Sequence, residues 1–317
     1  MPLAEPLASA IAAIEAHDVE GLALALTRAP DIVGRPVGDN ENHLLDMAAA
    51  TCDERTVALL LERGADPAAT NVHGWTALHQ AAYVGLPPLA RLLLDAGAPL
   101  DMAARGDGGT PLVVALFWGR RQTAELLAGT EPLPRNLRVA AGLDRRELVE
   151  ELVAPGGALA PGAGAHRAFH RPHSGFPEWT PSDDPQEVLD EALPWAARND
   201  AVAVLEVLVA RGARLDTDVY RGTALAWAAA CGRVAAIERL VALGADVNAR
   251  TTFGGPDHGE VTTALHLAAQ SGHLEAITAL LAAGADRTLR DGLHDSTPAG
   301  WADHGGQAAA VAALKLS

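Results

Sequence analysis

The chain has two cysteines in 317 residues, Cys52 and Cys231. They lie far apart and neither belongs to a C-x-x-C pair, which excludes a disulfide framework and a thiolate zinc site and suits a reducing interior. Basic residues are also scarce. Lys and Arg number 24 against 40 Asp and Glu, a net charge of −16. Duplex nucleic acid and anionic membrane surfaces repel such a chain unless a local basic patch intervenes, and no long Lys/Arg run is present. No apolar run approaches the ~20 residues of a spanning helix, and Glu5 stands where a secretory signal would carry positive charge. These absences lead to the expectation of a cytoplasmic monomer with neither nucleic acid nor membrane as partner. With 49% hydrophobic and 20% charged residues, the chain can bury a large core and has none of the signs of wholesale disorder.

What the chain does have is a rhythm. Thr76-Ala77-Leu78-His79-Gln80-Ala81-Ala82 returns as Thr110-Pro111-Leu112, as Thr223-Ala224-Leu225-Ala226-Trp227-Ala228-Ala229, as Thr263-Ala264-Leu265-His266-Leu267-Ala268-Ala269 and as Thr297-Pro298. A second block follows most of these: LLLERGAD at 59–66, LLLDAGAPLD at 92–101, VLVARGARLD at 207–216, LVALGADVNAR at 240–250 and LLAAGADRTLR at 280–290. Looser copies occur at His43–Ala49, at Asn136–Ala141 and at Ala192–Ala197; the last two lack the threonine.

These blocks resemble those of the ankyrin repeat, T-P-L-H-x-A-A and L-L-x-x-G-A-D-x-N, recurring at that family's period of about 33 residues. The resemblance is to a bacterial-type member with an insertion between repeats. It implies an all-α solenoid of about eight or nine stacked helix-turn-helix units with extended loop fingers. The physics of the blocks agrees. The threonine can cap a first helix, the alanines allow close packing, the paired leucines fill a core, and the glycine ends the second helix in a left-handed conformation. Each unit leaves an apolar face that only a neighbour covers. The expected organisation is a capping unit at 1–38, repeats at 39–155, an inserted loop at 156–186, repeats at 187–291 and a terminal unit at 292–317.

The insertion departs from the rhythm. The Leu137 block stands 56 residues before the Leu193 block, about one period plus some twenty residues. Its first part, PGGALAPGAG, is too rich in Pro and Gly to be helical, and helix is expected to resume at Asp184-Pro185-Gln186-Glu187, with proline and acids in the first turn. In a chain with only 4% aromatic residues, the insertion holds Phe169, Phe176 and Trp179. An idle loop would leave these in water, so it is expected to pack as an ordered flap near Trp195 and Trp227. A shorter interruption, TTFGGPDHGE, follows at 251–260.

The resemblance implies a non-catalytic module that binds a protein or peptide on its concave face, gated by the 156–186 loop, with no cofactor. The candidate binding residues are His170, Arg171, His173, Trp179, Asp183, Asp184, Trp195, Arg198, Asn199, Tyr220, Arg221 and Trp227, with the two indoles as a sticky floor and Arg198, Asn199, Tyr220 and Arg221 as polar contacts at its rim. The alternative is an enzyme or small-ligand binder with a pocket closed over Trp195 and Trp227. His166, His170 and His173, at H-x3-H-x2-H spacing with Asp183 nearby, would then be metal ligands. Pro172 and Gly175 disfavour the helix that would make those rings converge. His79 and His266, in contrast, are expected to be structural, tying neighbouring turns together.

Overall fold

The computed structural model describes residues 5–129, 133–169, 179–253 and 261–315. Two compact units divide the chain, residues 1–115 with 120–132 and residues 116–119 with 133–317. The N-terminal unit carries α1 (Glu5–Glu15), α2 (Val19–Arg28), a short 3-10 turn, α3 (Leu44–Ala50), α4 (Glu54–Glu62), α5 (Ala77–Val84), α6 (Pro87–Asp95), most of α7 (Pro111–Phe117), and α8 (Arg121–Ala128). The C-terminal unit carries α9 (Leu137–Gly142), α10 (Arg146–Leu152), α11 (Pro185–Arg198), α12 (Val202–Ala210), α13 (Ala224–Ala230), α14 (Val234–Ala242), α15 (Ala264–Ser271), α16 (Leu274–Ala282), α17 (Pro298–His304) and α18 (Ala308–Lys315). Among the described residues the only extended pairings are three isolated bridges. The all-α class expected from the repeats is the class observed.

Helices pair in sequence, and pairs stack in register. In the C-terminal unit α9, α11, α13, α15 and α17 pack in one row, and α10, α12, α14, α16 and α18 in a second. The N-terminal unit repeats the arrangement with α1, α3 and α5 against α2, α4, α6 and α8. Fully buried Leu205, Leu208, Ile237, Leu240, Ile277 and Leu280 run through the C-terminal core beside the repeated alanines. Burying each such side chain contributes about 1.5–3 kcal/mol, and the alanines let neighbouring helices approach.

The repeated residues act where their chemistry is needed. Thr76 and Thr263 cap α5 and α15 in reciprocal pairs with His79 and His266. His79 Nδ1 accepts the Thr76 backbone N–H at 3.1 Å, so its proton sits on Nε2, which donates to the Gly109 carbonyl at 3.0 Å. His266 repeats this with Thr263 and Ser296. Each histidine thus ties a helix start to the following connection. The second helices end at Gly64, Gly97, Gly212, Gly244 and Gly284, all at positive φ. The next N–H returns to the carbonyl five residues back, as from Ala213 to Leu208 at 3.0 Å, which closes the helix end.

Candidate partner-binding face

The helix pairs on either side of the insertion, α9 with α10 and α11 with α12, both lack the capping threonine. Counting from the repeated leucine, Glu191 stands where Thr76, Thr223 and Thr263 stand in their pairs, and Arg138 stands where His79 and His266 stand. Their bonding follows from those positions. Arg138 donates to the carbonyls of Arg167 at 2.7 Å and His166 at 2.6 Å, as His79 and His266 reach a carbonyl 30 residues on. The guanidinium has therefore taken over the histidine's tie. Without a threonine at Glu191, α11 does not start there. It begins at Pro185, capped by Asp184, whose carboxylate accepts the Gln186 N–H at 3.0 Å. Asn136 supplies the missing cap of α9 by accepting the Val139 N–H at 3.0 Å.

Glu191, buried at 3% exposure, is the centre of a charged cluster. Arg167 donates its Nε–H to Glu191 and a further N–H to Glu187 at 2.7 Å. Arg138 approaches Glu191 at 3.9 Å, and the Trp195 indole N–H donates to it at 3.3 Å. Arg167 also donates to the Ser182 carbonyl at 2.7 Å, while Glu187 accepts both the N–H and the hydroxyl of Ser182. Burial opposes charge on Arg167, but the two carboxylates outweigh it and raise its pKa further. Burial likewise pushes Glu187 up; the bonds from Ser182 and Arg167 prevail and hold it below its ordinary value. The pair is thus ionised and fully hydrogen-bonded, the condition under which buried charge is tolerated.

Beside this cluster lies an aromatic layer. Phe117 meets Phe169, Trp195 and Trp227 edge to face, with centroids 5.3–5.8 Å apart, a geometry favoured by the ring quadrupoles. Arg198 is fully buried among them. Its guanidinium lies 3.6 Å from the Trp227 centroid, 4.7 Å from that of Phe117 and 4.9 Å from that of Trp195, and it donates to the Phe117 and Pro194 carbonyls. Desolvation lowers its pKa to about 9, so it stays protonated at neutral pH, with ring faces packed around the cation. Phe253 packs on Trp227 at 4.7 Å. Among the described residues the buried Trp227 indole N–H has no hydrogen-bond partner.

The outgoing side of the insertion reaches this layer, and its returning side stacks on Tyr220. Phe169 is buried against Phe117. Trp179, half-buried, stacks on Tyr220 with centroids 5.0 Å apart, and the Arg167 guanidinium lies 5.3 Å from its ring.

The sequence-derived residues therefore separate into groups. Trp179 and Tyr220 are half-buried and stacked, and Asp183 and Asp184 are exposed. Trp195 and Trp227, expected as an accessible floor, are buried at 4% and 3% exposure, with Phe117 and Arg198 packed on both. Arg198 and Asn199, expected at the rim, lie in the interior, where Asn199 donates to the carbonyls of Leu116 and Trp195, each at 2.9 Å. Arg221 is likewise buried. His170, Arg171, His173 and Phe176 fall outside the described residues. His166 is exposed, and among the described residues no three His, Cys, Asp or Glu side chains converge to hold a metal. An open groove of about 470 Å³ lies elsewhere, on the N-terminal helix pair, lined by residues including Ser9, Ala12, Leu24 and Arg28.

Sequence reasoning passed over Phe117, Arg138, Arg167, Glu187 and Glu191. Arg138 and Glu191 had a readable signal, since each replaces a repeat residue whose role is known from the other copies. Phe117 had none.

Comparison with known proteins gives a consistent result. The description "Ankyrin repeats (3 copies)" matches residues 44–136 and 137–251, and "Ankyrin repeat" matches 262–292. Protein PhlB of Serratia liquefaciens is 39% identical over 88 residues, 28% of this chain and 39% of that protein. B-cell lymphoma 3 protein of Homo sapiens is 42% identical over 86 residues, 26% of this chain and 19% of that protein. Neurogenic locus notch homolog protein 4 of Homo sapiens is 41% identical over 105 residues, 30% of this chain and 5% of that protein. The chain thus spans less than half of each of these relatives.

Proposed function

Because the chain belongs to the ankyrin-repeat family, whose repeats are generally protein–protein interaction modules, we propose that it acts non-catalytically, binding a protein or peptide on the face formed by α11, α13 and the returning end of the insertion. The observation that carries this reading is the stacked pair of Trp179 and Tyr220. Both rings are half-buried, and they join the insertion to the connection before α13. Aromatic side chains that are held rigid yet remain accessible are the usual anchors of an interface, because little conformational entropy is lost when a partner covers them. Asp183 and Asp184, four and five residues after Trp179, are exposed, and the net charge of −16 draws cationic partners toward the chain and repels acidic ones. No helix among the described residues is long and apolar enough to cross a membrane. In this reading the protein acts in the cytoplasm as a monomer and needs no cofactor.

A pocket closed over Trp195 and Trp227 has less to support it, since the faces of both indoles are occupied by Phe117 and Arg198. The proposal is tested by selecting displayed peptides on the intact protein and titrating them against Trp179→Ala and Tyr220→Ala. Each substitution is expected to weaken binding at least tenfold with unchanged far-UV circular dichroism. Equal affinity for both variants and the unmodified protein would remove the stacked pair from the interface.

A further inference from the structure

The charged cluster contains more than the fold requires. One tie between Arg138 and the carbonyls of residues 166 and 167 reproduces what His79 and His266 do elsewhere in the chain with one ring nitrogen. Arg167 adds a second tie, made to two carboxylates of α11. It leaves the outgoing side of the insertion, crosses to α11 at Glu187 and Glu191, and bonds to the carbonyl of Ser182 on the returning side, 15 residues later. Its guanidinium also faces Trp179. Ser182 in turn donates its N–H to Glu187 at 2.8 Å. One planar fork of donors thereby joins both sides of the insertion to a single helix, a task suited to arginine and not to lysine.

We propose that Arg167 is a clamp across the base of the insertion. It sets the docked position of residues 163–169 and 179–184 through Glu187 and Glu191, and so pre-organises the Trp179–Tyr220 pair. The clamp operates whether or not a partner binds that face. It divides the work unequally: Glu187 governs the returning side, through Ser182, while Arg167 governs both. Arg138 holds the carbonyls of 166 and 167 as a separate tie, so loss of Arg167 loosens 163–169 and 179–184 against α11 while α9 keeps its own contact with the insertion.

Hydrogen exchange on the full chain tests this. Arg167→Met should raise exchange in 163–169 and 179–184 at least tenfold, with α16 (Leu274–Ala282) unchanged as an internal reference. Glu187→Ala should raise exchange in 179–184 alone. Removing one partner of a buried pair also leaves the other charge uncompensated, and the double variant Arg167→Met/Glu191→Gln separates the two effects. With both charges gone, the insertion should still exchange rapidly if Arg167 is a clamp. Restored protection in the double variant would show that the single variant suffered only from a stranded carboxylate, and would overturn the proposal. Arg167→Lys should recover less than half of the lost protection; full recovery would equally contradict a two-sided fork. Should Arg167→Met fail to fold, Glu187→Ala decides, and unchanged exchange at 179–184 in that variant would refute the clamp.

Discussion

The N-terminal unit contains two buried titratable groups whose effects on stability oppose each other. Asp46, at 7% exposure in α3, is raised from 3.8 to about 7 by desolvation, which the bond from the His43 N–H only partly offsets. His79 in α5 is lowered from 6.5 to about 4, again chiefly by desolvation. Unfolded, Asp46 loses its proton above pH 3.8, whereas folded it keeps it to about 7; its contribution therefore falls as pH rises from about 4 to 7. Unfolded, His79 gains a proton below 6.5, whereas folded it resists to about 4; its contribution falls as pH drops through the same window. At about 1.4 kcal/mol per pKa unit, the Asp46 effect is roughly 4 kcal/mol and that of His79 roughly 3 kcal/mol. In the unmodified protein the two nearly cancel. Each substitution should expose the other group: His79→Gln should lose stability from pH 4.5 to 7, and Asp46→Asn should gain it. Urea denaturation at pH 4.5, 5.5, 6.5 and 7.5, read from NMR peaks of α3 and α5, measures both slopes, and groups common to all three proteins cancel in the differences. Slopes of the same sign, or a folded His79 titrating near 6.5, would refute the reasoning.

Leu208, fully buried in α12, should cost about 2–5 kcal/mol when replaced by Ala. The lost hydrogen-exchange protection should concentrate in α12 and its neighbours α10 and α14; uniform loss along the C-terminal unit would contradict nearest-neighbour coupling. Asn136→Ala should destabilise α9 by about 1 kcal/mol through loss of the cap, and Asn136→Ser by less; thermal denaturation compares the two. Acidification should loosen residues 179–184 only below the ordinary carboxylate range, because Glu187 is held below its usual value in the folded state and its contribution disappears as pH falls through that lowered pKa.

The repeat blocks were legible in the sequence because each repeated residue has a local role. Threonine caps and glycine turns depend on neighbours a few residues away, and the histidine tie reaches the same place one repeat on, so Thr76, His79 and Gly212 could be assigned from their blocks alone. The start of α11 at Pro185 was equally readable. Missing was the meaning of the exceptions. Glu191 and Arg138 looked like eroded copies of a motif, yet their charges form one network across the insertion. Trp195 and Trp227 sit in equivalent positions, as the repeat register requires, but their burial depends on Phe117 and Arg198. Phe117 lies 78 residues before Trp195 and carries no mark of the contact. Pairings of that span arise from the stacking of helix pairs, which periodicity announces without saying which side chains meet.

The most direct test of the binding face is the exchange footprint of a selected peptide on the intact protein. Exchange should slow in residues 179–184 and in the connection around Tyr220, with α12 and α14 unaffected. Protection confined to α12, α14 or the N-terminal unit, with 179–184 and Tyr220 unchanged, would place the partner elsewhere and contradict the proposed face.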